Sequence, residues 1–259
     1  MTRAGWTSIA VASAVLTSSP AAAQDTIFVP PSDRIAIRDL KLVPAIDLVP
    51  GVHVHTVIGS TGSVSLGEFD SAGTAPLHHH TREQADFGLT GALEMTMGTH
   101  VEILGTGTGV IVPPEVAHSI ANQHNGVKTV LEFHTVRRPD LVPPRPAMTF
   151  PSAPEAATVP AGRTFIAKLD TGDEETLVGQ TCTMRWRRVV APSDLHPQAT
   201  AAEHFVYVVQ GDASITASGR TFYAGAGTLA IVPATLRHVE LRPTKGDVAI
   251  VEFTVSHAP

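Results

Sequence analysis

The chain has 259 residues, 16% charged and 43% hydrophobic, with a net charge of −6. That balance excludes a disordered chain, and the absence of any basic stripe argues against a nucleic-acid partner. Gly (21) and Pro (20) are frequent and aromatics scarce (5%), which suits many short strands joined by turns. In chain order, Arg3, the short apolar stretch Trp6 to Leu16 and the Ala21-Ala22-Ala23 site read as a secretory signal peptide, residues 1–23, cleaved after Ala23. The stretch is too short to span a bilayer, and no later run is apolar enough. The mature chain is therefore expected to be secreted or periplasmic, with no membrane partner. Residues 24–50, with Val29-Pro30-Pro31 and Val43-Pro44, read as a leading arm. The single cysteine, Cys182, excludes an internal disulfide and reads as a buried bystander.

Beyond residue 50 the chain repeats itself at an offset of 120. Gly91 matches Gly211, Gly107 matches Gly227, Ile111-Val112-Pro113 matches Ile231-Val232-Pro233 and His118 matches His238. Glu83 matches Glu203, and Glu132-Phe133 matches Glu252-Phe253. A constant offset of this kind marks two copies of one module. The first is read as residues 51–138 and the second as 163–259. Between them, 139–162 holds seven prolines (139, 143, 144, 146, 151, 154 and 160) and reads as an extended linker. Each copy shows closely spaced β-rich runs, such as His53–Gly59, Asp86–Thr90 and Lys128–Val136 in the first, and Thr181–Val190, Phe205–Gln210 and His238–Leu241 in the second. Such spacing implies a sandwich or barrel per copy.

The chemistry concentrates in His78-His79-His80-Thr81-Arg82-Glu83-Gln84. On a strand, alternate residues share a face, so His78, His80 and Gln84 can aim at one point while His79 points away. His118, in the turn-rich stretch 107–122, supplies a fourth ligand candidate. Three imidazoles and one amide oxygen suit one divalent transition metal ion: Zn, Ni, Mn, Fe or Cu. His53 and His55 share a strand face and read as a barrel lining or rim pair. In the second copy His78 becomes Gln198, His80 becomes Thr200 and Gln84 becomes His204. Only His204 and His238 remain there as strong ligands, and two imidazoles rarely hold a metal. The second copy reads as degenerate.

These residues resemble the motifs of the cupin superfamily. Gly73, His78, His80, Gln84 and Gly91 follow its first motif, with Gln84 in the usual Glu position. Gly107, Pro113, His118 and Asn122 follow its second, with Glu115 where Gly is usual. The resemblance covers about 50–140 and 163–256. It implies an all-β fold of two tandem cupin (jelly-roll) β-barrels, a bicupin, with any metal in a barrel interior and with pairing of chains into homodimers through barrel edges. The His-x-His-x3-Gln…His set is similar to the KdgF-type small cupins, which open unsaturated uronates. In that group the last barrel strand carries an acidic residue, an aromatic two on and an arginine four further. Glu132, His134 and Arg138 stand in those places here.

This resemblance leads to a metal-dependent lyase or isomerase acting on a small sugar-acid-like substrate. The ion would be the Lewis acid, Glu132 or His134 would move a proton, Arg138 would hold a carboxylate and Asp86 would be a second candidate base. Two other readings stay open on the same residues. One is a quercetinase-like dioxygenase using Fe or Cu. The other is a non-catalytic bicupin that binds a small ligand.

Overall fold

The computed structural model describes residues 26–29, 33–135, 166–195 and 203–255. The signal-peptide reading (1–23), the whole linker (139–162), Arg138, Gln198 and Thr200 lie outside them. Among the described residues every regular element is a strand, apart from one 3-10 turn, Leu40–Leu42.

The first barrel faces one large sheet against one small one. The large sheet runs β1 (Thr26–Phe28), β4 (Val52–Ile58), β5 (Ser63–Phe69), β12 (Lys128–His134), β7 (Gln84–Thr90), β10 (Thr108–Val112) and β13 (Ile166–Lys168), with β3 (Ile46–Val49) also paired to β4. The small sheet runs β6 (Thr74–His78), β11 (His118–Ala121), β8 (Ala92–Met97) and β9 (His100–Gly105). The second barrel repeats the plan. Its large sheet is β14 (Glu174–Val178), β15 (Cys182–Val189), β22 (Val248–Val255), β17 (His204–Gln210), β20 (Thr228–Val232) and β2 (Ala36–Asp39). Its small sheet is β16 (Ser193–Asp194), β21 (Glu240–Pro243), β18 (Asp212–Ala217) and β19 (Arg220–Gly225). The fold is two tandem jelly-roll barrels, with antiparallel pairing throughout except where β1 runs parallel to β4.

Barrel membership does not follow chain order. β2, from the leading arm, closes the second barrel by pairing with β20, Ala36 opposite Ile231. β13, from the second half, closes the first barrel by pairing with β10, Ile166 opposite Val110. The two modules thus exchange edge strands, and each covers an edge that would otherwise expose unpaired backbone groups.

The large sheets lie back to back. Alternate residues of one sheet face enter a shared core of Val64, Leu66, Phe87, Leu131 and Phe133 with Met184, Trp186, Phe205, Tyr207 and Phe253. The repeat-related Phe133 and Phe253 meet each other, ring centroids 5.2 Å apart, and Phe87 stacks on Trp186 at 5.8 Å. Aromatic pairs of this kind add about 0.5–1.5 kcal/mol each beyond simple burial. Burial on both faces explains why β22 is apolar almost throughout instead of alternating. The free Cys182 sits in this core, fully buried, and burial pushes its thiol pKa up.

Two local expectations change. The histidines of β4 do not line the barrel. His55 shares its strand face with Val57, which lies in the inter-barrel core. Its Nδ1 donates to the Val43 carbonyl at 2.5 Å. His53 sits between Asp47 (2.6 Å) and Asp70 (3.2 Å). The inward positions of β4 and β5 include Thr56 and Ser65 instead, which bond each other at 2.8 Å. The strand expected at His238–Leu241 starts two residues later, because His238 takes a positive φ of 54° that no strand accommodates.

Candidate metal centre

The interior of the first barrel has an apolar end and a polar end. Val52, Phe69, Leu93, Met95, Met97, Leu104, Val110, Val112, Ile120 and Val130 fill the apolar end. At the other end, strand register sets out two polar layers. Ser63, His134 and Gln84 stand side by side across β5, β12 and β7, and Ser65, Glu132 and Asp86 form the layer beneath.

The histidine-rich stretch does not stay on a strand. His78 ends β6, residues 79–83 turn, and Gln84 begins β7 on the facing sheet. Simple parity therefore does not bring the three together; the turn between the two sheets does. His118, at the start of β11, is opposite His78 in register. Possible ligand atoms of His78, His80 and His118 all lie within 4.8 Å of one another. Ring centroids are 4.3 Å apart for His78–His118, 4.8 Å for His78–His80 and 5.3 Å for His80–His118.

The hydrogen bonds around these rings fix which atom each can offer. His78 Nδ1 donates to the Pro76 carbonyl (2.6 Å) and His118 Nδ1 to the Val116 carbonyl (2.9 Å). A carbonyl only accepts, so both protons sit on Nδ1 and both Nε2 atoms carry lone pairs. Burial, and then the neighbouring His78, lower the His118 pKa to about 3, so this ring stays neutral. The Gln84 amide nitrogen donates to both Asp86 carboxylate oxygens at 3.0 Å. That turns Gln84 Oε1 toward His118 Nε2, 3.3 Å away. Two acceptors therefore face each other with no proton between them. Ligands about 2.1 Å from one ion are separated by roughly 3.0–3.4 Å, so the gap fits a shared cation. Side chains that orient a ligand in this way are usual around metal sites.

The proton-handling candidates lie alongside. Glu132 pairs with His134 Nε2, and the His134 ring is 4.9 Å from that of His80. Asp86 is fully buried beside Glu132; burial, then that neighbour's charge, push its carboxyl pKa well above the usual range. Of the sequence candidates, the structure brings together His78, His80, Gln84, His118, Asp86, Glu132 and His134. Arg138 falls outside the described residues.

Two further features hold the ligand turns in place. Glu115, at the position where the family motif has Gly, has a φ of 62°. Its backbone N–H donates to the His80 carbonyl (2.7 Å), and its carboxylate meets His79 Nδ1 at 3.0 Å. Asn122, almost fully buried, donates to the carbonyls of Phe69, Asp70 and Gly126. Glu83, which the sequence marks only as the match of Glu203, sends its buried carboxylate into the other barrel. Its signal was the retention of Gly59, Thr61 and Glu83 as Gly179, Thr181 and Glu203 at the 120-residue offset.

In the second barrel the same positions do not assemble. His204 is buried, but the His238 side chain is 92% exposed, and its nearest acidic partner, Asp194, is 3.8 Å away.

Residues 65–134 match the family described as "Cupin domain". The match lies within the first barrel, from β5 to β12. A search among curated proteins finds no match by sequence. Solved structures similar to the whole chain include AerE from Microcystis aeruginosa (13% identity, TM-score 0.61, covering 82% of this chain and 96% of that one). Oxalate decarboxylase from Bacillus subtilis (14%, 0.63, 84% and 76%) is also similar, as is procruciferin, an 11S globulin from Brassica napus (13%, 0.66, 86% and 84%). These likenesses establish the cupin fold for both barrels, and the first barrel holds a histidine cluster suited to a metal.

Proposed function

We propose that the chain is an exported, metal-dependent bicupin enzyme whose single active centre lies at the polar end of the first barrel. In this reading it acts as a lyase or isomerase on a small oxygenated acid, in the manner of the KdgF-type cupins it resembles. The observation that carries the reading is the partly buried Glu132–His134 pair next to the His78, His80, Gln84 and His118 cluster. Bound at these four side chains, a divalent ion supplies Lewis acidity toward a substrate oxygen. Because all four ligands are neutral, the site favours an anionic oxygen donor from the substrate.

The chain's own groups divide the remaining work. Asp86 keeps the Gln84 carbonyl turned toward His118. Glu132 and His134, in hydrogen-bond contact, would pass a proton to or from a substrate carbon or oxygen. Arg138, three residues beyond the described end of this region, would take the substrate carboxylate. Such proton shifts involve no net redox change, so Zn, Ni or Mn would serve.

The test is a screen of metal-loaded protein against unsaturated uronates, followed by loss of their ultraviolet absorbance. Turnover that survives in Glu132→Gln and His134→Ala would sink the assignment. Oxygen uptake with an enol substrate would replace it by the dioxygenase reading, which the three-imidazole set also accommodates.

A further inference from the structure

Glu83 is only 1% exposed, and it stands in the turn between two metal-ligand candidates, His80 and Gln84. Its side chain leaves the barrel and enters the second one. There it accepts from Gln180 N (2.6 Å), Thr181 N (2.5 Å), Thr181 Oγ1 (2.9 Å) and Cys182 N (3.0 Å), the hairpin between β14 and β15. The repeat reproduces this contact in reverse. Glu203 accepts from Ser60 N (2.7 Å), Thr61 N (2.9 Å) and Thr61 Oγ1 (3.3 Å), the hairpin between β4 and β5. Both hairpins carry a glycine where the carboxylate arrives. A Cβ on Gly179 would lie 2.7 Å from Glu83 Oε2, and one on Gly59 would lie 2.7 Å from Glu203 Oε2.

The two clasps are alike in geometry and differ in what adjoins them. Glu203 precedes His204, but His238, which stands where His118 does in the first barrel, is turned to solvent. Glu83 precedes Gln84, whose amide oxygen faces His118. We propose that Glu83 is a positioning residue for the metal centre. By tying the 79–83 turn to the second barrel's hairpin, it holds the backbone from which His80 and Gln84 converge. The second barrel then has a definite task, although it lacks a centre of its own: it supplies the fixed anchor for the ligand turn of the first. An unanchored turn has to be ordered at the moment of binding, and that ordering weakens affinity. The inference rests on the metal-centre reading above.

The test uses the full chain, stripped of metal and titrated with Zn2+ against a competing chelator, with urea unfolding of each metal-free protein alongside. Glu83→Gln keeps the volume but sets an amide nitrogen against backbone donors. Gly179→Ala displaces the same carboxylate from the far side without altering Glu83. Each is expected to weaken Zn2+ binding by about tenfold or more, the usual range for groups that orient ligands. The double variant is expected to be no weaker than either single one, because both remove one interaction. Glu203→Gln is expected to lower the urea midpoint while leaving Zn2+ affinity within about twofold of wild type, since the hairpin it holds carries none of the four ligand candidates. Wild-type affinity in both Glu83→Gln and Gly179→Ala overturns the inference, and so does an equal loss in Glu203→Gln. A wild-type chain that binds no Zn2+ overturns the metal centre itself, and the inference with it.

Discussion

The two barrels have one architecture and opposite interiors. In the first, the polar layers read Ser63–His134–Gln84 and Ser65–Glu132–Asp86. In the second, the same layers read Thr183–Thr254–His204 and Arg185–Glu252–Val206. The deeper glutamate survives in both copies, but its company changes. Glu132 faces an imidazole and a second carboxylate beside the ligand cluster. Glu252 receives Arg185 Nε at 2.6 Å, with Arg187 at 3.6 Å and Glu174 completing the network. Burial pushes the Glu252 pKa up, while the two guanidinium groups pull it down. Arginine stems thus occupy the space that small residues, Ser65 and Gly67, leave open in the first barrel. One interior gathers a histidine cluster that could hold a metal, and the other is filled by an ion-pair network. A duplicated fold can therefore divide labour, since the chemistry depends on a few inward positions and the barrel does not.

The contrast breaks most sharply at the histidines. His118→Ala is expected to abolish metal binding by the purified protein, read by elemental analysis, while His238→Ala leaves the metal content unchanged. Loss of metal in both would make the two barrels equivalent. Next comes the buried glutamate. Glu252→Ala leaves two largely buried guanidinium groups short of a counter-charge and is expected to cost about 3 kcal/mol in urea unfolding. Glu132→Gln removes a carboxylate that sits next to another and is expected to cost much less stability but to stop turnover. If Glu132→Gln destabilises as much as Glu252→Ala, the division between site and filler fails.

A smaller effect sharpens the first barrel alone. Asp86→Ala frees the Gln84 amide to flip and is expected to weaken metal affinity by roughly tenfold, measured by chelator competition. The smallest lies on the outer face. Hydrogen bonds donated by the His53 ring to Asp47, then Asp70, raise the pKa of His53 above 6.5. A raised folded-state pKa means this contact stabilises the fold fully below the unfolded value and stops doing so as pH rises through the folded midpoint. An NMR titration should place the His53 midpoint above 6.5. In Asp47→Asn the midpoint should fall back, with only a slight change in stability, because the pair is exposed.

Much of the fold was legible because the repeat preserves what a barrel needs: turn glycines such as Gly107 and Gly227, both with positive φ, and apolar runs such as Ile111-Val112 and Ile231-Val232. The short strands β6 and β11 escaped the pattern, since Pro76, His78 and His118 interrupt any apolar alternation. The candidate ligands were also legible, as residue types at a spacing. Their mutual distance was not, because His80 and Gln84 are joined by a turn that crosses between sheets. Nor was the orientation of His238, which occupies the motif position and points to solvent.

The sequence by itself determined the duplication, the β architecture and the identity of the four ligand candidates, because these follow from local periodicity, turn chemistry and side-chain type. Only the tertiary structure decided that edge strands are exchanged, that Glu83 and Glu203 clasp the opposite hairpins and that one interior gathers the ligand candidates while the other is filled by arginine–glutamate pairs. Those outcomes depend on contacts between residues roughly a hundred or more positions apart, where side-chain volume, charge and the room left by a glycine act together.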